Sequence, residues 1–191
     1  MSLGRKETKV VIGDREYLLA FDNISIRVYK ELYGLSFMQT FNLLGEWDDA
    51  AIINFATACI RELDNPDVPL GIELLNQHDL LSILLGCGSE VVNMVLEGLP
   101  QKSEKKVDTS STEDLTKEAD DIDLDWMEYF YCTILKRSEY DFWTSTPKKI
   151  SAQIDIYNKI NLDQQEARKK AEEELKLKQE GRRKTTFKVL D

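Results

Sequence analysis

Histidine is almost absent from this chain of 191 residues, in which His78 is the only one. A single histidine cannot form a His-based metal pair, and a Ser-His-Asp or Cys-His catalytic set would have to use it. His78 lies at a predicted helix start, in Asn76-Gln77-His78-Asp79, where a surface or capping role is expected. Glycine-rich phosphate loops are also missing, because Gly86 and Gly88 have neither a preceding strand nor a following lysine. The sequence therefore predicts a protein that is not an enzyme and has no cofactor and no metal site.

Cysteine is scarce as well, and Cys59, Cys87 and Cys132 are far apart in the sequence. No two of them have the spacing of a zinc site, and each lies among apolar neighbours. We expect three buried, reduced thiols, as in cytosolic proteins, rather than a disulfide framework. The first residues show no signal-peptide pattern, so a cytoplasmic location is expected.

Basic residues are too few to balance the acids, with 25 lysines and arginines against 35 aspartates and glutamates. The resulting net charge of −10 repels phosphate backbones and anionic lipid headgroups. We therefore expect neither nucleic acid nor a membrane among the partners.

An uninterrupted hydrophobic run of membrane-spanning length is also missing. The most apolar stretch, Leu80 to Leu99, carries Glu90 and Asn93 near its middle. A central acid costs about 2.5–3.5 kcal/mol on insertion scales, which disfavours a transmembrane helix. Because glycines interrupt the stretch, the sequence predicts two core helices, Asp79 to Leu85 and Ser89 to Leu99, with Ser89 capping the second.

The N-terminal region predicts a β-hairpin followed by helices. Apolar residues alternate with polar ones from Thr8 to Phe21, around a two-residue turn at Gly13-Asp14 that suits type II′. A lone hairpin is marginal in water, so it is expected to pack on the helices after it.

Three helices are predicted to follow the hairpin. The first has Asn23 as N-cap and runs to Tyr33, with Gly34 as a left-handed stop; its inward residues are expected to be Ile24, Val28 and Leu32. The second runs from Ser36 to Leu44 and is expected to end at Gly45 in the same way. The third starts at Asp48 or Asp49 and keeps its helical spacing as far as Leu63.

These patterns divide the chain into three parts. Residues 1–99 form the predicted domain of hairpin and helices, and residues 100–121 contain almost no large apolar side chain. Such a composition predicts a flexible linker. Residues 122–191 form a C-terminal helical segment with a charged tail, and the fold class is mainly α with a small N-terminal β-hairpin (α+β).

The C-terminal segment opens with an aromatic-rich pattern, Ile122 to Lys136, that is apolar over most of a helix circumference. A helix of this kind is expected to be covered on more than one side. Four acids at its start, Asp120, Asp121, Asp123 and Asp125, suit a helix N-terminus. The tail from Asp163 to Lys188 mixes acids and bases, which predicts a solvated helix.

Between these parts, an aromatic corner leads into a strong helix start. Phe142 and Trp143 precede Thr146, the expected N-cap, and Pro147 suits the first helical position. Apolar residues then recur along one face of the predicted helix, at Ile150, Ile154, Tyr157 and Ile160.

Two interpretations of this corner stay open: it docks a partner, or it closes the protein's own core. A mixed outcome is expected, with Phe142 inward and Trp143 at least partly exposed, because adjacent residues of an extended entry segment point to opposite sides. The candidate partner-binding residues are Tyr140, Phe142, Trp143, Thr146, Pro147, Ile150, Ile154 and Tyr157.

The run Asp-Phe-Trp-x-x-Thr-Pro-x-x-Ile, with the aromatic segment from Trp126 to Leu135 before it, resembles the C-terminal segment of tail assembly chaperones of long-tailed bacteriophages. The resemblance covers about a third of the chain closely, and the charged tail departs from the plainest family pattern. It implies a non-enzymatic chaperone, present in the bacterial host cytoplasm and absent from the finished particle. In such chaperones the N-terminal domain binds the tape-measure protein and the C-terminal segment recruits tail-tube subunits.

A homo-oligomer is compatible with the sequence. The resemblance implies that a short form can arise by frameshifting near Lys102, Lys105 and Lys106. The alternative from the residues alone is a cytosolic helical adaptor whose two halves bind each other.

Overall fold

The computed structural model describes residues 5–100 and 121–186, with side chains described up to residue 176. The chain forms two compact units, Met1–Ala152 and Gln153–Asp191. Their boundary therefore lies inside the segment 122–191 that the sequence analysis treated as one part. The predicted linker, apart from Pro100 and Asp121, lies outside the described residues. The fold class is confirmed, because helices predominate and a small antiparallel sheet forms at the N-terminus.

The predicted hairpin is confirmed as strands β1 (Lys6–Ile12) and β2 (Arg15–Phe21). Ile12 lies opposite Arg15, so the turn has two residues. Gly13 has a φ of 65°, the left-handed conformation that a type II′ turn requires at its first central position. The hairpin packs on a later helix, as a marginal two-stranded sheet requires.

Helix α1 (Asn23–Tyr33) begins one residue earlier than predicted, because Asp22 and not Asn23 is its N-cap. The Asp22 carboxylate accepts a hydrogen bond of 3.0 Å from the Ser25 backbone N–H. The predicted inward residues are only half-buried, and the buried face carries Asn23, Ser25, Ile26 and Tyr29 instead. The helix is rotated because its polar first turn takes part in buried hydrogen bonds.

The predicted stop at Gly34 is confirmed: its φ is 60° and its N–H donates to the Lys30 carbonyl. The equivalent prediction for Gly45 is wrong, because helix α2 (Phe37–Gly45) includes that glycine. The left-handed residue is Trp47, with a φ of 60°. The N–H groups of Trp47 and Asp48 donate to the carbonyls of Leu44 and Leu43, which is the Schellman pattern.

The two glycines should therefore respond oppositely to alanine. Gly34→Ala is expected to lower the free energy of unfolding by about 1–2 kcal/mol, because an L-residue is strained in the left-handed region. Gly45→Ala is expected to raise it by about 0.5–1 kcal/mol through helix propensity. An added Cβ meets no atom within 4 Å at either position, so packing does not interfere. Urea unfolding measures both changes in the free energy of unfolding. Changes of the same sign would contradict the inclusion of Gly45 in α2.

Helix α3 (Asp49–Cys59) starts as predicted, with Asp48 as N-cap, but ends before Leu63. Ile60–Arg61 forms strand β3, which pairs antiparallel with β2 through Leu19 and Leu18. Helical spacing continued past Cys59 in the sequence, yet the free edge of β2 offers backbone hydrogen bonds that end the helix there. The sheet order is β1-β2-β3.

A short helix that the sequence did not predict, α4 (Glu73–Gln77), precedes the long helix α5 (Leu80–Gly98). The two predicted core helices are one continuous helix with Asp79 as N-cap, and Ser89 caps nothing. Gly86 allows close approach of the hairpin, since a Cβ at this position would clash with the Val11 carbonyl oxygen. By length and composition, α5 is the one helix among the described residues that could cross a membrane. It packs on α3 and β1.

A buried ion pair joins strand β3 to the start of α1. Arg61 and Asp22 are both fully buried, with Arg61 Nη2 2.7 Å from Asp22 Oδ1. The same nitrogen donates to Ser25 Oγ, and Arg61 Nη1 donates to the Pro66 carbonyl. Loss of hydration on burial raises the pKa of the Asp22 carboxyl to about 6, against the hydrogen bonds from Ser25 and the charge of Arg5. The carboxylate is therefore mainly ionised at pH 7 and serves both as N-cap of α1 and as partner of Arg61.

The aromatic-rich segment differs from the single helix predicted over Ile122 to Lys136. Asp123 caps helix α6 (Leu124–Tyr129), and a π-helix follows over Phe130–Ile134. Lys136, with a φ of 56°, ends it. The expected cover on several sides is also wrong, since Trp126 is 50% and Tyr129 58% exposed.

Helices α7 (Glu139–Trp143) and α8 (Pro147–Thr186) complete the described chain. In the second unit, residues 163–176 of α8 are exposed, as predicted for a solvated tail.

Candidate protein-binding surface

The aromatic corner is built on α7 rather than on an extended segment. Ser138 caps this helix by accepting a hydrogen bond from the Asp141 N–H. Phe142 is fully buried and Trp143 half-buried, as expected, although the reason given by the sequence analysis is wrong. Successive residues of a helix are separated by about 100°, and this rotation turns Phe142 into the core and leaves Trp143 at its margin.

The first turn of α1 receives the corner through two backbone-directed hydrogen bonds. The Asn23 N–H donates to the Ser145 carbonyl at 3.0 Å, and Asn23 Nδ2 donates to the Phe142 carbonyl at 2.9 Å. Asn23 is fully buried, so these contacts are shielded from water. They hold residues 142–145 against the first turn of α1.

Trp143 is held from two directions. The Arg27 guanidinium of α1 lies over its ring, 4.5 Å from the centroid, and its Nε1 donates to Glu128 Oε1 of α6 at 3.2 Å. A cation over an indole face contributes about 0.5–1 kcal/mol at an exposed site. One turn further along α1, Lys30 forms an ion pair with Asp121 and donates to the Ile122 carbonyl. Helix α1 thus binds both the start and the end of residues 121–145.

The predicted start of α8 is confirmed. Thr146 Oγ1 accepts a hydrogen bond from the Lys149 N–H at 3.3 Å, and Pro147 is the first helical residue. Thr146 also lies close to the end of α5, where a Cβ on Gly98 would come 3.6 Å from the Thr146 methyl group.

Burial divides the candidate residues of the sequence analysis into three groups. Tyr140 is 64% exposed, and Trp143 and Tyr157 are half-buried. The others are buried: Phe142, Thr146, Pro147, Ile150 and, in the second unit, Ile154. Most of the corner therefore closes the protein's own core, and a docking role remains for its exposed margin.

Exposed apolar side chains occur on several elements outside the corner, and two pairs of them share one helix face each, on α5 and on α6. On α5, Leu81 is 64% and Leu85 80% exposed, one turn apart. On α6, Trp126 is 50% and Tyr129 58% exposed. All four were expected to lie on covered helices. One signal was available for α6: from Asp121 to Leu135 the sequence contains four acids and no lysine or arginine.

His78 takes part in a hydrogen-bonded group that joins the hairpin to α4. His78 ends α4, and its Nε2 lies 2.7 Å from the Tyr17 hydroxyl, which also donates to Gln77 Oε1. It is therefore a half-buried residue that connects the hairpin with α4, and it stands at a helix start as predicted, directly before Asp79, the N-cap of α5. Within residues 5–100 and 121–176, no three His, Cys, Asp or Glu side chains are placed to hold a metal ion.

The cysteines are free, as predicted, but only two of them are buried. Cys59 and Cys87 lie in the core, and Cys132 is half-buried. Burial raises the pKa of the Cys87 thiol to about 12, and it also raises the pKa of Cys59. Both core thiols are thus protonated at pH 7, which makes them poor nucleophiles.

Comparison of the chain with protein-family models, with curated proteins and with solved structures finds no match.

Proposed function

We propose that this protein is a non-enzymatic tail assembly chaperone of a long-tailed bacteriophage, acting in the cytoplasm of the bacterial host. In this proposal its N-terminal domain binds the tape-measure protein, and its C-terminal segment recruits tail-tube subunits. The resemblance of the corner motif and of the segment Trp126 to Leu135 supports the family.

The observation that carries an assembly role is the exposed leucine pair of α5. Leu81 and Leu85 are separated by one helical turn, so their side chains line the same face. Exposed apolar side chains grouped on one face mark binding sites for other proteins. A groove or face of this kind suits the apolar stripe of an amphipathic helix, and a tape-measure protein is expected to be long and helical.

Co-expression with the long helical protein encoded nearby, followed by co-purification, tests the proposal. The wild-type chain is expected to retain that protein in soluble form. Leu85→Glu is expected to reduce the retained amount at least tenfold, because a charge then replaces an apolar contact. Asn93→Glu is the matched control, since Asn93 is also exposed on α5 and the change adds the same charge.

Two results would contradict the proposal: no co-purification with the wild-type chain, or equal retention by Leu85→Glu and wild type. Melting curves of both variants separate lost binding from lost folding.

A second candidate function is a helical adaptor whose two halves bind each other. The contacts of α1 with residues 121–145 favour it, because they join the two halves within one chain. Gene order separates the candidates. A tail-tube gene upstream and a very long helical tape-measure gene downstream would favour the chaperone.

A further inference from the structure

We propose that Asp125, Trp126 and Tyr129 form an acidic aromatic face that binds a lysine- or arginine-bearing amphipathic helix of a partner protein. The proposal rests on the proposed function, since it names the surface and the charge of a partner that the C-terminal segment would recruit.

The face is formed by helical geometry. Trp126 and Tyr129 are three residues apart on α6, so both side chains lie on the same side of the helix. Trp126 is 50% and Tyr129 58% exposed. The Trp126 ring lies 5.3 Å from the ring of Phe130, a half-buried residue that opens the π-helix. Trp126 is thus supported from one side while its remaining surface is open.

Charge selects the partner. Between Asp121 and Leu135 the chain has four acids and no basic residue. Three of these acids already have structural roles: Asp121 pairs with Lys30, Asp123 caps α6, and Glu128 accepts from Trp143.

Asp125 is the remaining acid of this segment. It is exposed and makes no ion pair or hydrogen bond within the described part of the chain. It lies beside Trp126 and one turn before Tyr129. A carboxylate next to two open aromatic rings matches an ammonium or guanidinium group, which can pair with the acid and lie over a ring.

The methylene stems of lysine and arginine, and the apolar residues of an amphipathic helix, would cover the ring surfaces that water now contacts. Trp and Tyr are the residue types most often found at the centre of such contacts. The adjoining π-helix is consistent with a functional surface, because π-turns occur often at functional sites. An acidic partner would be repelled.

Trp47 provides a matched comparison elsewhere in the chain. It is 55% exposed and is flanked by Glu46, Asp48 and Asp49. It differs in standing alone in the left-handed turn after α2, without an aromatic neighbour on a helix face. A general attraction of cations to acidic tryptophan sites would act equally on Trp47 and Trp126.

The test uses the full chain and a fluorescently labelled synthetic helix of leucine and lysine, about five turns long, followed by fluorescence anisotropy. Saturable binding is expected, and the same peptide with glutamate in place of lysine is expected not to bind. The double variant Trp126→Ala/Tyr129→Ala is expected to weaken binding at least tenfold, and Asp125→Asn at least threefold. Trp47→Ala is expected to change the affinity less than twofold. Melting curves establish that each variant is folded.

The proposal is overturned if the wild-type chain shows no saturable binding, or if Trp47→Ala weakens binding as much as the double variant. It is also overturned if the double variant has a lower mass than wild type in light scattering, since a second copy would then cover the face. Its failure is distinguishable from that of the proposed function. If the tape-measure protein co-purifies but the peptide does not bind, only the proposal of the acidic aromatic face is rejected. If the peptide binds but the tape-measure protein does not co-purify, the phage function is rejected.

Discussion

Asp22→Ala is expected to lower the free energy of unfolding by about 3–5 kcal/mol, the cost of leaving a buried charge without its partner. The carboxylate lies 2.7 Å from Arg61 Nη2, and both side chains are fully excluded from water. Its removal also takes the N-cap of α1, which alone costs about 1 kcal/mol. Urea unfolding followed by circular dichroism measures the change through the midpoint at constant slope.

Asp48→Ala is the control for this prediction. Asp48 caps α3 through an equivalent hydrogen bond, 2.8 Å from the Ala51 N–H, but it is exposed and has no ion pair among the described residues. Asp48→Ala should therefore lower the free energy of unfolding by only about 1 kcal/mol. The double variant Asp22→Ala/Arg61→Met should be more stable than Asp22→Ala alone, because no unpaired charge remains buried. Equal costs for Asp22→Ala and Asp48→Ala would show that the ion pair adds nothing.

Phe142→Ala is expected to destabilise the protein by about 3–5 kcal/mol, the cost of emptying a large aromatic site in the core. Phe142 is fully buried, and its ring lies 5.9 Å from that of Tyr131 and 5.0 Å from that of Trp143. Its backbone carbonyl accepts from Asn23 in α1, so loss of the ring also loosens the attachment of the corner. Thermal melting and urea unfolding measure the effect.

Alanine substitutions of two neighbouring residues serve as comparisons for Phe142→Ala. Tyr140→Ala should stay within about 0.5 kcal/mol, because that side chain is 64% exposed. Trp143→Ala should fall between the two, since the half-buried ring loses the Arg27 contact and the hydrogen bond to Glu128. If Phe142→Ala instead left melting unchanged but abolished partner binding, the corner would be a docking element and not part of the core.

The contacts made by α1 give these two predictions a common basis. Asp22 and Asn23 are adjacent in the sequence, yet one bonds Arg61 and the other bonds residues of the corner. Ser25 completes the buried group by donating to the Ala20 carbonyl. The first turn of α1 therefore links the sheet, through β3, to the C-terminal segment. Damage at this turn is expected to affect both halves of the first unit.

The sequence alone determined the features that depend on neighbours within about four residues. The Gly13-Asp14 turn, the Gly34 stop, the helix start at Asp48 and the Thr146 cap were all predicted. In each of these, a side chain within the same turn or the next one bonds a free backbone N–H group, or a glycine adopts the positive φ that the turn requires. The mainly helical fold class with its N-terminal hairpin followed from the same local signals.

The tertiary structure decided what depends on residues distant in the sequence. Ile60–Arg61 became a strand because β2 offered a free edge, and α5 stayed continuous because Gly86 packs on the backbone of β1. Asn23 and Phe142, which bond directly, are 119 positions apart. The hydrophobic pattern of a sequence shows which residues are apolar, but it does not show whether another element covers them. For this reason the exposure of Trp126 and Tyr129, and the burial of the corner, were settled only by packing.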